Sequence, residues 1–224
     1  MMKAFTLLRT IASLLPAVLL GCVSATVDEM TFLEPTEGIG SSAVAILGRR
    51  DSYKPDTSFE FIGCVAEHIR KGDDTIRVMN EIEFLNATYP WFEPRNAPNY
   101  VEGWDPQQID SLLAETLDDL LLKYIVWIEG STSETKAPGS SMSCTVGPGG
   151  GGCFGFLTWS NTSEYEATIW DIESDSEVGK ISADATGQSY MPAVVVPVPI
   201  VAPVFDTACD SMGDQLLQYF SAHH

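Results

Sequence analysis

Lys123-Tyr124-Ile125-Val126-Trp127-Ile128-Glu129-Gly130 is the stretch that decides the fold of this 224-residue chain. Tyr124 to Ile128 are all β-branched or aromatic, and the run is too short for a helix. It lacks the alternation of a half-exposed strand, so it reads as a strand covered on both faces. Gly130 ends it. Immediately upstream, Asp105-Pro106-Gln107-Gln108 predicts a helix start, with Asp105 capping and Pro106 at the first helical position. Ile109, Leu112, Leu113, Leu117, Leu120 and Leu121 then give one broad apolar face, opposite Asp110, Glu115, Asp118 and Asp119.

Further out, Ser42 to Leu47 predicts a short buried strand closed by Gly48, followed by a polar loop at Arg49-Arg50-Asp51. Phe59, Ile62, Cys64, Val65, His68 and Ile69 recur at helical spacing, with basic residues in the last turn near Lys71-Gly72. Thr75 to Met79 is a second strand. Downstream, Phe154 to Trp159 and Glu164 to Ile172 have strand patterns. The second puts apolar residues on both faces, which implies cover on both sides. Asp171 to Glu177 reads as an acidic turn and Val178 to Ala185 as the return strand. Ala193 to Val204 carries Pro197, Pro199 and Pro203, which exclude helix and central strand alike. Thr207 to Phe220 closes the chain as a helix. The order β-α-β-α-β-β-β-α predicts the α/β (α+β) class, a mixed β-sheet flanked by helices, without repeats or low-complexity segments.

The first residues form an apolar leader with Lys3 and Arg9 near its start, broken by Ser13 and Pro16 and too short for a membrane span. It ends Leu19-Leu20-Gly21-Cys22, which resembles the lipobox of bacterial lipoproteins. The resemblance implies that residues 1–21 are a signal peptide, that Cys22 is the lipidation site and carries acyl chains such as palmitate, and that the mature chain starts there. Residues 22–40 then read as a lipidated tether and residues 41–224 as a single periplasmic domain. Each buried methylene contributes about 0.8 kcal/mol to such an anchor. Val23 after the cysteine, where inner-membrane lipoproteins tend to carry an acidic residue, implies an outer-membrane location on the periplasmic face.

Twelve basic and 31 acidic residues give a formal charge of −19, and loss of the leader's Lys3 and Arg9 takes it to −21. So acidic a body repels nucleic acid and anionic headgroups, and the membrane is reached through acyl chains alone. Beyond Cys22 there are four cysteines, an even number in an exported chain, read as two disulfides. Three pairings are open. The favoured one joins Cys144 to Cys153 across a glycine-rich loop and Cys64 to Cys209 between an early helix and the last. In the chain-entropy account these contribute roughly 3 and about 5 kcal/mol before strain.

The order of elements, with Ala43-Val44-Ala45-Ile46-Leu47, Lys123 to Gly130, and Ala167-Thr168-Ile169-Trp170-Asp171-Ile172 before a turn, resembles the periplasmic α/β domain of the curli-secretion-pore lipoprotein family. PelC-like export lipoproteins, the lipoprotein activators of peptidoglycan synthases and the TolB N-terminal domain share that fold class. The resemblance spans residues 40 to 222 and implies a role in the bacterial envelope. The chain departs from the pattern: its first strand lacks a proline-phenylalanine ending, and the Gly147–Cys153 loop and Pro-Val segment are extra. No segment reads as long enough for an inserted pore hairpin, which argues against a secretion channel.

The sequence offers no catalytic residue, metal site or cofactor. His68 reads as a packed helix residue and His223-His224 as tail; no His-Glu-x-x-His, serine elbow or phosphate loop occurs. Asp171, Glu173, Asp175 and Glu177 lack the glycine and spacing of a helix-loop-helix calcium site. Two segments read either as contact surfaces or as cover for the core. Tyr89, Trp91, Phe92 and Trp104 lie among prolines, and Tyr190, Val195, Pro197 and Pro199 form an apolar run that Phe154 could join. The leading expectation is a non-enzymatic, lipid-anchored binding or assembly protein. Its partners would be envelope proteins or cell-wall components, with a homo-oligomer as one form. The alternatives are an envelope glycan hydrolase using unidentified carboxylates, or an accessory subunit for export of lipid-like or polymeric cargo.

Overall fold

In the computed structural model, residues 25–32, 39–49, 57–92, 110–137, 140–174 and 176–221 are described. Tyr124 to Ile128 lie near the middle of a mixed sheet, as their composition requires. The strands are β1 (Ala25–Phe32), β2 (Ala43–Gly48), β3 (Arg77–Met79), β4 (Leu122–Lys136), β5 (Ser141–Gly147), β6 (Gly150–Asp171) and β7 (Ser176–Pro197). They lie in the order β1-β7-β6-β4-β2-β3, and β5 pairs with β6 beyond the end of β4. β2 runs parallel to β3 and β4, and every other pair is antiparallel.

The helices are α1 (Phe59–Gly72), α2 (Glu81–Ala87), α3 (Ser111–Asp119) and α4 (Val204–Ser221). Side-chain oxygens start three of them: Ser58, Asn80 and Asp110 accept from the backbone N–H groups of Phe61, Glu83 and Leu112. On one sheet face, α1 and α4 pack Phe61, Val65, Ile69, Met212 and Leu216 against Val126, Ile128, Tyr165, Ala167 and Ile181. On the other, α2 and α3 bring Phe84, Leu113 and Leu117 against Ile125, Trp127 and Trp170. β6 therefore feeds both cores, through Tyr165, Ala167 and Ile169 on one side and Trp170 on the other.

The α1–α4 contact is tied covalently by Cys64–Cys209. Beside that bond, the two ring nitrogens of His68 lie 3.1 and 2.8 Å from carboxylate oxygens of Asp210 and Asp214. Gly213 faces the His68 ring so closely that an added Cβ would collide with it. The missing side chain is what lets the two helices approach.

Tyr219 of α4 donates its hydroxyl to the Val178 carbonyl at 3.1 Å. Burial raises its pKa above the ordinary tyrosine range, with smaller contributions from the nearby Tyr124 and Asp171. Between the ordinary value, about 10, and that raised value, only the unfolded chain loses the proton. Folding stability contributed by this hydroxyl is therefore intact below pH 10 and declines as pH rises above it. Denaturation midpoints at pH 9 and 11 should fall more steeply in the parent than in Tyr219→Phe; equal slopes would contradict the assignment.

Two segments differ from their reading in sequence. Within the stretch read as a tether, Ala25–Phe32 forms an edge strand whose eight residues pair with Gly187 to Lys180. An edge strand draws on the neighbour's backbone groups, so it needs no apolar signature. The described helix before β4 starts at Ser111 under the Asp110 cap, whereas Asp105 and Pro106 lie outside the described residues.

Candidate docking surface

β6 and β7 are each 22 residues long, far longer than the sheet needs to cover its helices. The sequence reading placed shorter strands here, Phe154 to Trp159, Glu164 to Ile172 and Val178 to Ala185. Glycine, serine and proline break up the apolar pattern that would reveal strands so long, and backbone pairing supplies the continuity. β4 and β5 lie end to end along one edge of β6: Lys136 faces Trp159, and Ser141 faces Phe156. The outer parts of β5, β6 and β7 form a three-stranded tongue projecting past the helices.

The chemistry of the tongue changes along its length. Between residues 137 and 163, and again between 185 and 205, the sequence carries no charged side chain. The inner boundary holds Glu164 opposite Asp184, and Lys136, the last charge on β4, lies level with Trp159. Next come Thr162, Asn161, Ser160, Gln188 and Ser189. A buried polar cluster holds this zone: Asn161 donates to Glu134 at 2.9 Å, Ser189 donates to Asn161, and the Ala202 N–H donates to Ser189 at 2.9 Å. Such a network rigidifies the base of the projection.

Beyond Tyr190, β6 and β7 expose apolar side chains, while β5 alongside them exposes Ser141, Ser143 and Thr145. Val146 is 91 % exposed and Val194 80 %, and Phe154, Phe156, Val195, Val196, Val198 and Val201 are each about half exposed or more. Phe154 faces Val194 across the β6–β7 ladder and Cys153 faces Val195. Partners share a face and successive residues alternate faces, so apolar side chains emerge on both sides at one level. Phe156 stacks on Tyr190 with ring centroids 5.9 Å apart. Cys144 and Cys153 are directly opposed and bonded, fixing the register of β5 on β6.

At Val195 the backbone enters the left-handed region, φ 81°, where a β-branched residue is strained. The chain then reverses: the Val198 N–H donates to Pro192, and Tyr190 and Ile200 exchange two backbone hydrogen bonds at 2.8 and 2.7 Å. Ala193 to Pro197 is thus the end of a strand, and Pro197 is tolerated because, among the described residues, no full strand lies beyond β7 there.

The contact candidates separate. Phe154, Tyr190, Val195, Pro197 and Pro199 are brought together at the tongue. Phe92 is a correction, being only 2 % exposed within the second core, where it meets Phe84 edge-on. Trp91 packs partly against that core and donates its indole N–H to Asp110 at 3.2 Å. Tyr89 is exposed, away from the tongue, and Trp104 and Cys22 lie outside the described residues. Val194, Val196 and Phe156 lie within the runs that sequence reading singled out, whereas Val146 was passed over; the signal that marks all four is the pair of long charge-free stretches.

Chemistry-bearing groups are sparse elsewhere. A shallow concavity is lined by Ser111, Ala114, Glu115, Asp118 and Asp119, on the outer face of α3. Among the described residues no three histidine, cysteine or acidic side chains are gathered to hold a metal, and no helix is long and apolar enough to cross a membrane.

No protein-family model matches the chain, and no curated protein matches it. Solved structures with a related outline include a PelC dodecamer from Paraburkholderia phytofirmans, 10 % identical, covering 89 % of this chain and all of that one, at a TM-score of 0.44. A single-substitution variant of that PelC dodecamer gives 12 % identity, 87 % and 99 % coverage, and the same score. PelC is among the families the sequence resembles. At this distance the mixed α/β fold rests on the geometry described above.

Proposed function

We propose that this chain is a non-enzymatic binding or assembly protein of the bacterial cell envelope. It is tethered through acylated Cys22 to the periplasmic face of the outer membrane and makes its contacts through the tongue. The observation that carries the reading is the apolar end of a charge-free projection on a body of net charge −19. Contiguous exposed apolar surface of that kind marks an interaction site. The leader ending at Cys22 and the two disulfides agree with an exported, anchored protein.

The position of the titratable groups supports a non-catalytic role. His68 is held between Asp210 and Asp214 on the helix pair, and the acidic residues of α3 line an open surface. Self-association in solution is proposed on the exposed tongue end alone.

Light scattering on the mature chain carrying Cys22→Ser tests the reading. Deprived of its normal surroundings, the tongue end should drive concentration-dependent association, and Phe154→Ser with Val195→Ser should return the protein to a monomer. Both residues are exposed, so the double substitution should leave the unfolding free energy within about 0.5 kcal/mol of the parent. A parent that stays monomeric at all concentrations would contradict the proposal.

A further inference from the structure

We propose that Cys144–Cys153 is a redox-sensitive clasp: a dithiol reductant opens it and frees β5 from β6 while the body of the fold stays intact. The clasp goes beyond the docking role proposed above and does not depend on it.

Little else holds β5 in place. Every residue of β5 except Met142 is exposed, and none belongs to either core. Its outer edge pairs with no strand among the described residues. Of its seven pairs with β6, four have glycine on at least one side: Met142 faces Gly155, Thr145 faces Gly152, Val146 faces Gly151 and Gly147 faces Gly150. Opposed side chains are the unit of sheet stabilisation. Apart from the cysteines, only Ser141 opposite Phe156 and Ser143 opposite Phe154 supply them.

The turn does not hold β5 either. Gly147 pairs with Gly150, so the loop is Pro148-Gly149. Two-residue turns that match the twist of a hairpin need a positive φ at the first central residue. The ring of Pro148 confines its φ to about −65°. Turns of that geometry splay the strands they join. Cys144, the fourth of seven residues, therefore carries the hold at the middle of the ladder.

The two disulfides also differ in access. Exchange needs a thiolate to reach one of the sulfurs, and exposed bonds are the labile ones. Cys144 is exposed and Cys153 partly so, outside both cores. Cys209 is fully buried, and Cys64 packs against the first core beside it. On a body of charge −19, the charge-free stretch from 137 to 163 carries no carboxylate to repel an incoming thiolate.

Opening takes two exchanges. A thiolate of the reductant attacks one sulfur of the bond and forms a mixed disulfide. The electron pair of the broken S–S bond leaves on the other sulfur, which takes up a proton. The reductant's second thiolate then attacks the mixed disulfide, and the remaining cysteine leaves and is protonated. The dithiol ends as a disulfide, and Cys144 and Cys153 end as thiols. β5 then lifts between the Pro148-Gly149 turn and Ser140, whose hydroxyl donates to the Ala137 carbonyl at 2.9 Å. The β6 edge from Gly150 to Phe156 loses its partner, while β7 keeps the opposite edge from Cys153 inward.

The test titrates the full mature chain carrying Cys22→Ser with dithiothreitol under native conditions. Free thiols are alkylated and located by peptide mass spectrometry. Cys144 and Cys153 should label at a dithiothreitol concentration about ten-fold or more below the one that labels Cys64 and Cys209. At that lower concentration, hydrogen exchange should quicken over residues 141–147 and stay unchanged in α4. Cys144→Ser with Cys153→Ser should show the same fast exchange without reductant. Labelling of all four cysteines together, or of Cys64 and Cys209 first, would overturn the clasp. So would unchanged exchange over residues 141–147 once the bond is open or absent.

Discussion

Cys64→Ala with Cys209→Ala is expected to lower the unfolding free energy by about 3–5 kcal/mol, enough to remove a large part of the stability of a single domain. The bond closes a span of 145 residues, from the first turns of α1 to the middle of α4. Its main effect is to restrict the unfolded chain. In the folded protein the two helices stay in contact through Phe61, Val65, Ile69, Met212 and Leu216 and through His68 between its two aspartates. The loss should therefore be smaller than the full loop entropy. Paired alanines avoid leaving one buried free thiol. Guanidinium denaturation followed by circular dichroism should show a lower midpoint with a similar slope. The Cys144–Cys153 bond offers the contrast. It spans nine residues near the end of the tongue, outside both cores, so its removal should loosen β5 locally and shift the global midpoint far less. Equal midpoint shifts for the two pairs would contradict this division of the molecule.

Phe61→Ala is expected to cost about 3–5 kcal/mol. Phe61 is fully buried and joins three elements. From α1 its ring lies flat on Tyr165 of β6, centroids 3.4 Å apart, and meets Phe205 of α4 edge-on at 5.5 Å. Truncation leaves a cavity at the point where the helix pair seats on the sheet, and Tyr165 loses its stacking partner. Phe59, two residues earlier and 60 % exposed, is the control; its alanine variant should change stability by about 0.5 kcal/mol or less. If both variants unfold at the same denaturant concentration, the packing described for α1 is wrong.

The body of the fold was legible because its elements carry strong local signals. Tyr124 to Ile128 could be little but a covered strand, and Trp170 opposite Tyr165, Ala167 and Ile169 forecast two cores on one sheet. α1 and α4 announced themselves by spacing. β1 was not legible, since an edge strand is specified by the backbone groups of Thr186 and its neighbours. α2 was missed because Glu81–Ala87 is too short for a period to emerge.

The tongue was half legible. Pro197, Pro199 and Pro203 warned against a central strand, but they hid that the segment begins as the continuation of β7, which ends at Pro197. Glycines at 150 to 152 and 155 masked the strand character of β6. Phe92 shows the converse error. An aromatic among prolines can serve a surface or a core, and only the position of α2 and β4 around it decides. What located the site was absence of charge over two separated stretches, which the β6–β7 register then set side by side.

Hydrogen–deuterium exchange on the protein in its native membranes, compared with the same protein extracted into detergent-free buffer as the Cys22→Ser form, tests most directly the claim that the tongue end is the contact surface. Peptides covering residues 141–157 and 191–201 should be protected in the membrane and exchange faster in solution, while those covering α3 and the Asp171–Ser176 turn stay unchanged. Protection that appears at α3 or that turn, with the tongue exchanging alike in both states, would contradict the account.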